Sequence, residues 1–404
     1  PTMKKQKQLS FTIYEARLKL SPNDPIKIIY DNINFSFIYD LVKDKFTSKT
    51  YDGYDPVSLF KALDLIYLSE ARSERDLAKK LKFDARLCAL CEFDSFLKTP
   101  SHATFSNFRK KLGEEIFFKI FHHLVAQAFA YGIIKGIFTA ADATEIWAYA
   151  NSEHKSDPDA SWGYKNKNYS FYGYKVHLIV DTKSQLPLSI EVTPGNEADS
   201  DSAPALVNQL KKFHPYIETS ATMLDAGYDG HTTYKLFAEN NIIPIIALNE
   251  RGGINPLLTG ELTISQDGKI CGPADCPLVY WGFCKNRNRH KFRCPAVLGK
   301  FECLFKKSCS KSNYGRTFYI HPTDDLRLVG KIPRGTCTWE KLYDLRTSVE
   351  RTNSELKNSH YLGNLRVRSL PNVKVHTYLS AIAQILKRFE KYFVAQPNFA
   401  LSTA

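Results

Sequence analysis

The stretch from Gly136 to Leu248 constrains this fold more than any other part of the chain. Apolar runs of strand length at 137–141, 174–181, 188–193, 222–224 and 242–248 are interleaved with amphipathic runs of helix length at 202–213 and 232–240. Three early strands, then helix, strand, helix and strand, predict a mixed α/β core. Lys183-Ser184-Gln185 suits a tight connection between the second and third strands. Two of the strands run directly into an acid, the first into Asp142 and the fourth into Asp225. Packing gives a buried strand no reason to end on a carboxylate, whereas strand ends are where α/β sheets place their chemistry.

The flanks follow other periods. Residues 1–55 carry little pattern, and residues 56–131 read as a run of helices. Pro56 suits a helix start, with Leu59, Leu63, Ile66 and Tyr67 following at helical spacing. Ser73 with Asp76 forms a capping-box pattern, a short helix covers 84–91, Thr104 is placed to cap the next, and Gly113 to stop it before a longer helix over 114–131. A plain bundle and a helix-turn-helix-like DNA-binding unit both fit this pattern. Residues 249–335, rich in Gly, Pro, Cys and basic side chains, interrupt the α/β pattern and read as a β-rich insertion. Strong helices then cover 339–356 and 373–393. The implied division is a helical N-terminal domain at 1–131, the first part of the core at 132–248, the insertion at 249–335, and a C-terminal helical part at 336–404.

Charge is distributed unevenly. The 404 residues carry a net +13. Segment 285–311 holds nine basic residues against one acidic, and segment 346–388 holds eight against two, so the rest is close to neutral. Two basic zones on a neutral body point to a polyanionic partner, a solubilising surface being the blander account. No apolar run approaches the roughly 18 residues that read as a membrane span, and the N-terminal stretch lacks the apolar segment of a signal peptide. A cytoplasmic, nucleoid-associated protein is expected.

The second basic zone also holds a third acid. Tyr343, Arg346, Glu350 and Lys357 lie at offsets 0, 3, 7 and 14. On one continuous α-helix these offsets fall within an arc of about 60°. Such a stripe sets a carboxylate between cations able to clamp phosphates and a phenol able to bond a phosphate or stack on a base. A solvated helix with an i,i+4 Arg346–Glu350 pair accounts for the same residues equally well. Two or three convergent carboxylates suit Mg²⁺, which takes oxygen ligands.

In order along the chain, these blocks resemble a DDE transposase of bacterial insertion sequences, in the group marked by a Y-R-E-K signature. The signature reads Tyr343-Asp-Leu-Arg346-Thr-Ser-Val-Glu350 and then Lys357, with every spacing matched. Thr139-Ala-Ala-Asp142-Ala-Thr is similar to the family's first acidic block. Leu224-Asp225-Ala-Gly227-Tyr228-Asp229 is similar to its D-x-G-Y block. Tyr172-Gly-Tyr-Lys175-Val-His177 and Thr193-Pro-Gly195-Asn196 resemble its second and third strands, and 56–112 its N-terminal domain. The resemblance spans roughly residues 20–390. It implies a ribonuclease H-like catalytic core behind a helix-turn-helix-like N-terminal domain, with the first and fourth strands side by side and a later helix delivering the glutamate. It further implies Asp142, Asp225 and Glu350 as a catalytic triad holding two Mg²⁺ or Mn²⁺ ions. The partners implied are double-stranded DNA, as terminal inverted repeats and target, and a second copy of the chain assembled on that DNA. The reaction would be hydrolysis at the transposon ends followed by attack of the freed 3′-OH on target DNA. A ribonuclease H-like nuclease without strand transfer and a domesticated DNA-binding protein are the competing readings.

Several residues have a plainer explanation beside the functional one. Asp229 is expected to cap the helix near His231 rather than to ligate metal. His177 is expected to be a hydrogen-bonded structural histidine. Asn196 and Asp199 suit a turn, and Glu145 local turn polarity. Cys88 and Cys91 form a C-x₂-C pair inside an apolar helix, which favours packing. Cys271, Cys276, Cys284, Cys294, Cys303 and Cys309 contain no such pair, so reduced thiols are favoured over a structural zinc ion. Lys285, Arg287, Arg289, Lys291 and Arg293 alternate with period two. On a strand that puts all five on one face, interleaved with Trp281 and Phe292, and suits a DNA backbone; a charge-protected edge strand is the alternative.

Overall fold

The computed structural model describes residues 11–46, 53–94, 96–153, 156–166, 168–249, 261–322 and 327–396. The N-terminal part is helical: α1 (Phe11–Leu18), α2 (Pro25–Asn32), α3 (Phe37–Val42), α4 (Pro56–Tyr67), α5 (Glu74–Phe83), α6 (Ala85–Leu90) and α7 (His102–Ala130). Local chemistry sets their starts. Asp55 accepts from the amides of Val57 and Ser58, with Pro56 at the first turn of α4, and Ser73 accepts from the Asp76 amide to open α5. Ser101, not Thr104, caps α7, with Thr104 returning the bond as the other half of a capping box. Gly113 breaks α7 as expected, at φ +69°, a conformation that side chains with a Cβ avoid.

The core sheet is formed by β1 (Phe138–Trp147), β2 (Ser161–Asn166), β3 (Tyr169–Asp181), β4 (Pro187–Pro194), β5 (Ala221–Leu224) and β6 (Ile243–Ile246). Helices α8 (Asp199–Phe213) and α9 (His231–Glu239) fall between its later strands. Along the sheet the order is β4-β3-β1-β5-β6. The pairs β4–β3 and β3–β1 are antiparallel, and β1–β5 and β5–β6 are parallel. The first strand thus lies beside the one after α8, and this mixed sheet with its helices fits a ribonuclease H-like core. Sequence periodicity gives no sign of β2, which continues the β4 edge of β3 beside Tyr169–Gly173.

The insertion holds β7 (Thr263–Ile264), β8 (Ile270–Cys271), β9 (Val279–Cys284), β10 (Arg289–Arg293), α10 (Lys306–Cys309) and β11 (Thr317–Ile320). Strand β10 lies at the centre of a β11-β10-β9 sheet and is no edge strand. The chain then returns through α11 (Cys337–Tyr343), α12 (Thr347–Ser359) and α13 (Leu370–Ala395).

One apolar cluster runs from the N-terminal helices (Ile29, Phe60, Phe117) through one sheet face (Ala140, Ile146, Val176, Met223) into α12 and α13 (Val349, Leu356, Phe389). A smaller cluster on the opposite face joins Ala141, Ile179 and Leu224 to α8 and α9. The insertion has a separate core of Leu262, Ile264, Ile270, Phe292, Ile320, Leu328 and Val329. Among the described residues no helix is long and apolar enough to cross a membrane.

Candidate active site

Strand β1 does not end at Asp142, as its apolar run suggests. Its antiparallel ladder with β3 continues to Trp147, and only its parallel ladder with β5 stops, at the Ala141–Leu224 pair. Asp142 and Asp225 are therefore the next residues on two adjacent parallel strands. Alternation along a strand puts Asp142 on the face of Ala140 and Ile146, and Asp225 on that of Met223. That is the face on which α12 packs through Val349 and Leu356, so the packing that buries the helix also delivers Glu350. Glu350 and Asp142 line the same open cleft.

The two aspartates repel each other. Burial, with the neighbouring Asp225 charge adding to it, pushes Asp142 up to about 7; the Ala143 amide and Arg346 oppose the rise and Asp199 adds to it, all more weakly. Burial also raises Asp225, opposed by the Gly227 amide, which donates to its Oδ1 at 2.8 Å. A Cβ on Gly227 would stand 3.0 Å from that oxygen, so glycine lets the carboxylate keep this bond.

Asp199, at the start of α8, adds to the negative field at both aspartates and is paired with Lys175 Nζ at 2.8 Å. Lys175 also donates to the Glu197 carbonyl at 2.8 Å, which fixes the loop after β4. Sequence reasoning gave Asp199 a turn role, in a loop that the resemblance places near the active site, and missed this pair, although Lys175 lies in a block quoted for the resemblance.

The signature residues do not lie on one straight helix. Tyr343 ends α11, Arg346 closes a 3₁₀ turn at Asp344–Arg346, and Glu350 and Lys357 occupy the first and last turns of α12. A 3₁₀ residue advances about 120° against 100° in an α-helix, so the single stripe is broken at its start. The local contacts survive. Arg346 Nη2 donates to Glu350 Oε1 at 2.8 Å, its guanidinium lies 5.7 Å from the Tyr343 ring, and its charge acts on both Asp142 and Asp225. Lys357 turns to Glu145, Nζ to Oε1 at 3.1 Å, with Lys165 3.8 Å from the other oxygen; Glu145 is thus the partner of the signature lysine rather than local turn polarity.

The site is therefore two adjacent aspartates, a half-exposed glutamate and an arginine that pairs with the glutamate and whose charge reaches both aspartates. Among the described residues no three acid, imidazole or thiol groups stand close enough to share a metal ion, and Glu350 is engaged by Arg346 instead. The donor set nevertheless fits a hard cation. Its ligands are all carboxylate oxygens, and two of them repel each other where a positive charge would relieve them.

Other expectations resolve separately. Asp229 does not cap α9, since Gly230 occupies that position. Its side chain is fully buried, paired with Arg327 at 2.9 Å and Arg334 at 3.7 Å, and accepts the Asn249 amide at 2.8 Å. His177 bonds Thr193 Oγ1 at 2.9 Å, and burial lowers it to about 4, a neutral structural histidine. Asn196 exchanges bonds with Ser161 across the β2 edge. The basic run is not one strand: Lys285 and Arg287 lie exposed in the turn between β9 and β10, and only Arg289, Lys291 and Arg293 belong to β10. Those three stack on aromatic rings, Arg289 3.7 Å from Tyr319, Lys291 4.8 Å and Arg293 3.6 Å from Tyr314, and Arg293 is buried. Cys88 and Cys91 are buried among apolar neighbours, in keeping with packing.

Residues 135–296 match the family model described as a transposase DDE domain, and residues 285–389 match a second model of the same description. Residues 14–111 match a model described as a transposase domain. Among solved structures, similarity extends to the piggyBac transposase synaptic complex with hairpin DNA, at 11% identity and a TM-score of 0.37 over 96% of this chain and 83% of that one. It also extends to the Mos1 transposase paired-end complex with left transposon end, at 12% identity and a TM-score of 0.18 over 58% and 75%. Superpositions this loose carry no weight for fold or chemistry. The family matches contain both aspartates and the glutamate, and the chain carries the domains of a DDE transposase.

Proposed function

We propose that this chain is a DNA transposase of the Y-R-E-K group of bacterial insertion sequences. In this reading it binds transposon-end DNA, hydrolyses the phosphodiester bond there with Mg²⁺ or Mn²⁺, and transfers the freed 3′-OH into target DNA. The observation that carries the proposal is the juxtaposition of Asp142 and Asp225, each the next residue past the end of the β1–β5 ladder, with Arg346 and Glu350 beside them.

Asp142, Asp225 and Glu350 would hold the cation. When bound there, the divalent ion supplies Lewis acidity that makes water or a 3′-OH a competent nucleophile and steadies charge on the phosphate. The protein's own part is positional. The parallel ladder fixes Asp142 and Asp225 at one height, the Gly227 amide holds Asp225, and α12 carries Glu350. Arg346 serves as internal counter-ion while the acids have no cation. Once they are neutralised, its guanidinium is free to fork onto a phosphate. Lys357 marks the far end of the same cleft, paired with Glu145 until a backbone phosphate competes for it.

A DNA-binding role for the N-terminal helices, including the helix-turn-helix-like reading, is supported by a second basic groove. Arg75, Lys79 and Lys82 project from α5 at i, i+4 and i+7, exposed, and line a cleft with Lys98, His102 and the exposed ring of Phe83. Cations with an interleaved aromatic ring suit a nucleic-acid backbone.

The test is cleavage of a duplex carrying the element's own terminal inverted repeats. Cutting should require Mg²⁺ or Mn²⁺, and the released ends should join a target plasmid. Cutting without joining would favour a nuclease, and specific binding without cutting would favour a DNA-binding protein.

A further inference from the structure

The insertion is held together differently from the rest of the molecule. Among the described residues its core is seven buried apolar side chains with Leu248, Leu278, Tyr280 and Phe318 packed against them, a small interior for a module of two small sheets. Modules this poor in core commonly rely on a cross-link or a metal. No disulfide fills that role, because all nine cysteines are free thiols.

Four of those thiols line one cavity. Cys276 follows β8, Cys294 follows β10 directly, Cys303 lies in the loop before α10, and Cys309 is the last residue of α10. They come from four separate segments, so sequence spacing could not group them; the sheet brings them together. Cys276 is buried, which pushes its thiol up, and Cys294 and Cys303 lie near enough to raise it further. A cation held among the sulfurs would offset that cost. Arg316 Nη1 already donates to Cys309 Sγ at 3.7 Å. N–H donors and cations around the sulfurs are the outer contacts that structural zinc sites use. As placed, no three of the sulfurs are close enough to share an ion, and the cavity of about 300 Å³ leaves room for them to turn inward.

We propose that Cys276, Cys294, Cys303 and Cys309 bind one structural Zn²⁺ ion that staples the insertion. Four soft thiolates select zinc over the Mg²⁺ or Mn²⁺ of the acidic site, so the two metals would occupy separate places. The proposal does not depend on the catalytic reading.

The test is metal content. Full-length protein purified without chelator should contain about one zinc per chain, a tetrahedral site's single ion. The Asp142→Asn/Asp225→Asn protein should keep it, which excludes the acidic site as its source. A mercurial reagent should release the ion as thiols are titrated, and melting temperature should fall with the release. Cobalt grown into the wild-type protein should show the intense visible bands of a tetrahedral thiolate site, a readout that needs no variant to fold. Cys276→Ser and Cys294→Ser should each lower zinc at least tenfold. Zinc below a tenth of an equivalent in wild type would overturn the proposal, as would iron in its place, or undiminished zinc in the Cys276→Ser/Cys294→Ser protein.

Discussion

The basic zone at Arg346–Lys357 and the basic ribbon at Lys285–Arg293 look alike in composition, yet their charges are answered in different ways. In the first, Arg346 and Lys357 meet carboxylates, Glu350 and Glu145, at 2.8 and 3.1 Å. Those pairs lie in an open cleft and exchange readily for other ions. In the second, Arg289, Lys291 and Arg293 lie over tyrosine and tryptophan rings, and Arg293 also donates to the Tyr314 carbonyl at 2.6 Å. Those cations hold the small sheet together, leaving Lys285 and Arg287 in the turn as the exposed part of the ribbon. Charge counted along a sequence does not separate a cation that handles a ligand from one that handles the fold; its nearest neighbours do.

The largest effect expected is at the acids. Asp142→Asn should lower end cleavage by about a thousandfold or more while leaving end binding within a few-fold, measured by single-turnover cleavage beside mobility shift. A variant that cuts normally would move the site elsewhere.

Next is the buried link between the core and the insertion. Asp229→Ala leaves Arg327 and Arg334 without their carboxylate and should destabilise the protein by about 3–5 kcal/mol, read by denaturant unfolding. A loss within the range of a surface substitution would refute a structural role for that pair.

Asp142 should also show itself in stability without metal. Its carboxyl holds a proton more tightly in the folded chain, at about 7, than an ordinary carboxyl at 3.8. Its contribution is therefore most favourable below about pH 4 and is lost as pH rises through 7. Asp142→Asn should leave metal-free stability near wild type at pH 4 and raise it at pH 8, by at most about 4 kcal/mol. Equal shifts at both pH values would contradict the burial and repulsion assigned to this site.

The smallest effect separates the two basic zones. Lys285→Ala/Arg287→Ala should weaken DNA binding modestly and lower its salt slope by about two, with melting unchanged. Arg293→Ala should lower the melting temperature instead. The reverse pattern would exchange the roles given to turn and strand.

Much of the core was legible in sequence because its strands are buried on both faces and read as apolar runs. Strand β2 was not, since Trp162 and Tyr164 are exposed and its register shifts before Asn166, leaving no alternation to read. Asp142 was singled out for an incomplete reason: β1 continues past it, and what ends there is the ladder with β5. The signature helix was read as continuous because helical periodicity does not reveal the 3₁₀ turn at Asp344–Arg346. Asp229 and the cysteines were judged from local spacing, whereas the partners of Asp229 lie about 100 residues away and the cysteines that share a cavity come from separate segments, which spacing does not encode.

The central claim, that Asp225 ligates the catalytic cation, is tested most directly by exchanging its oxygen ligand for sulfur. Mg²⁺ binds thiolate poorly and Mn²⁺ binds it better. End cleavage by Asp225→Cys should be absent with Mg²⁺ and recover in part with Mn²⁺, while the wild type cuts with either. Equal cleavage by Asp225→Cys with both metals would contradict the account.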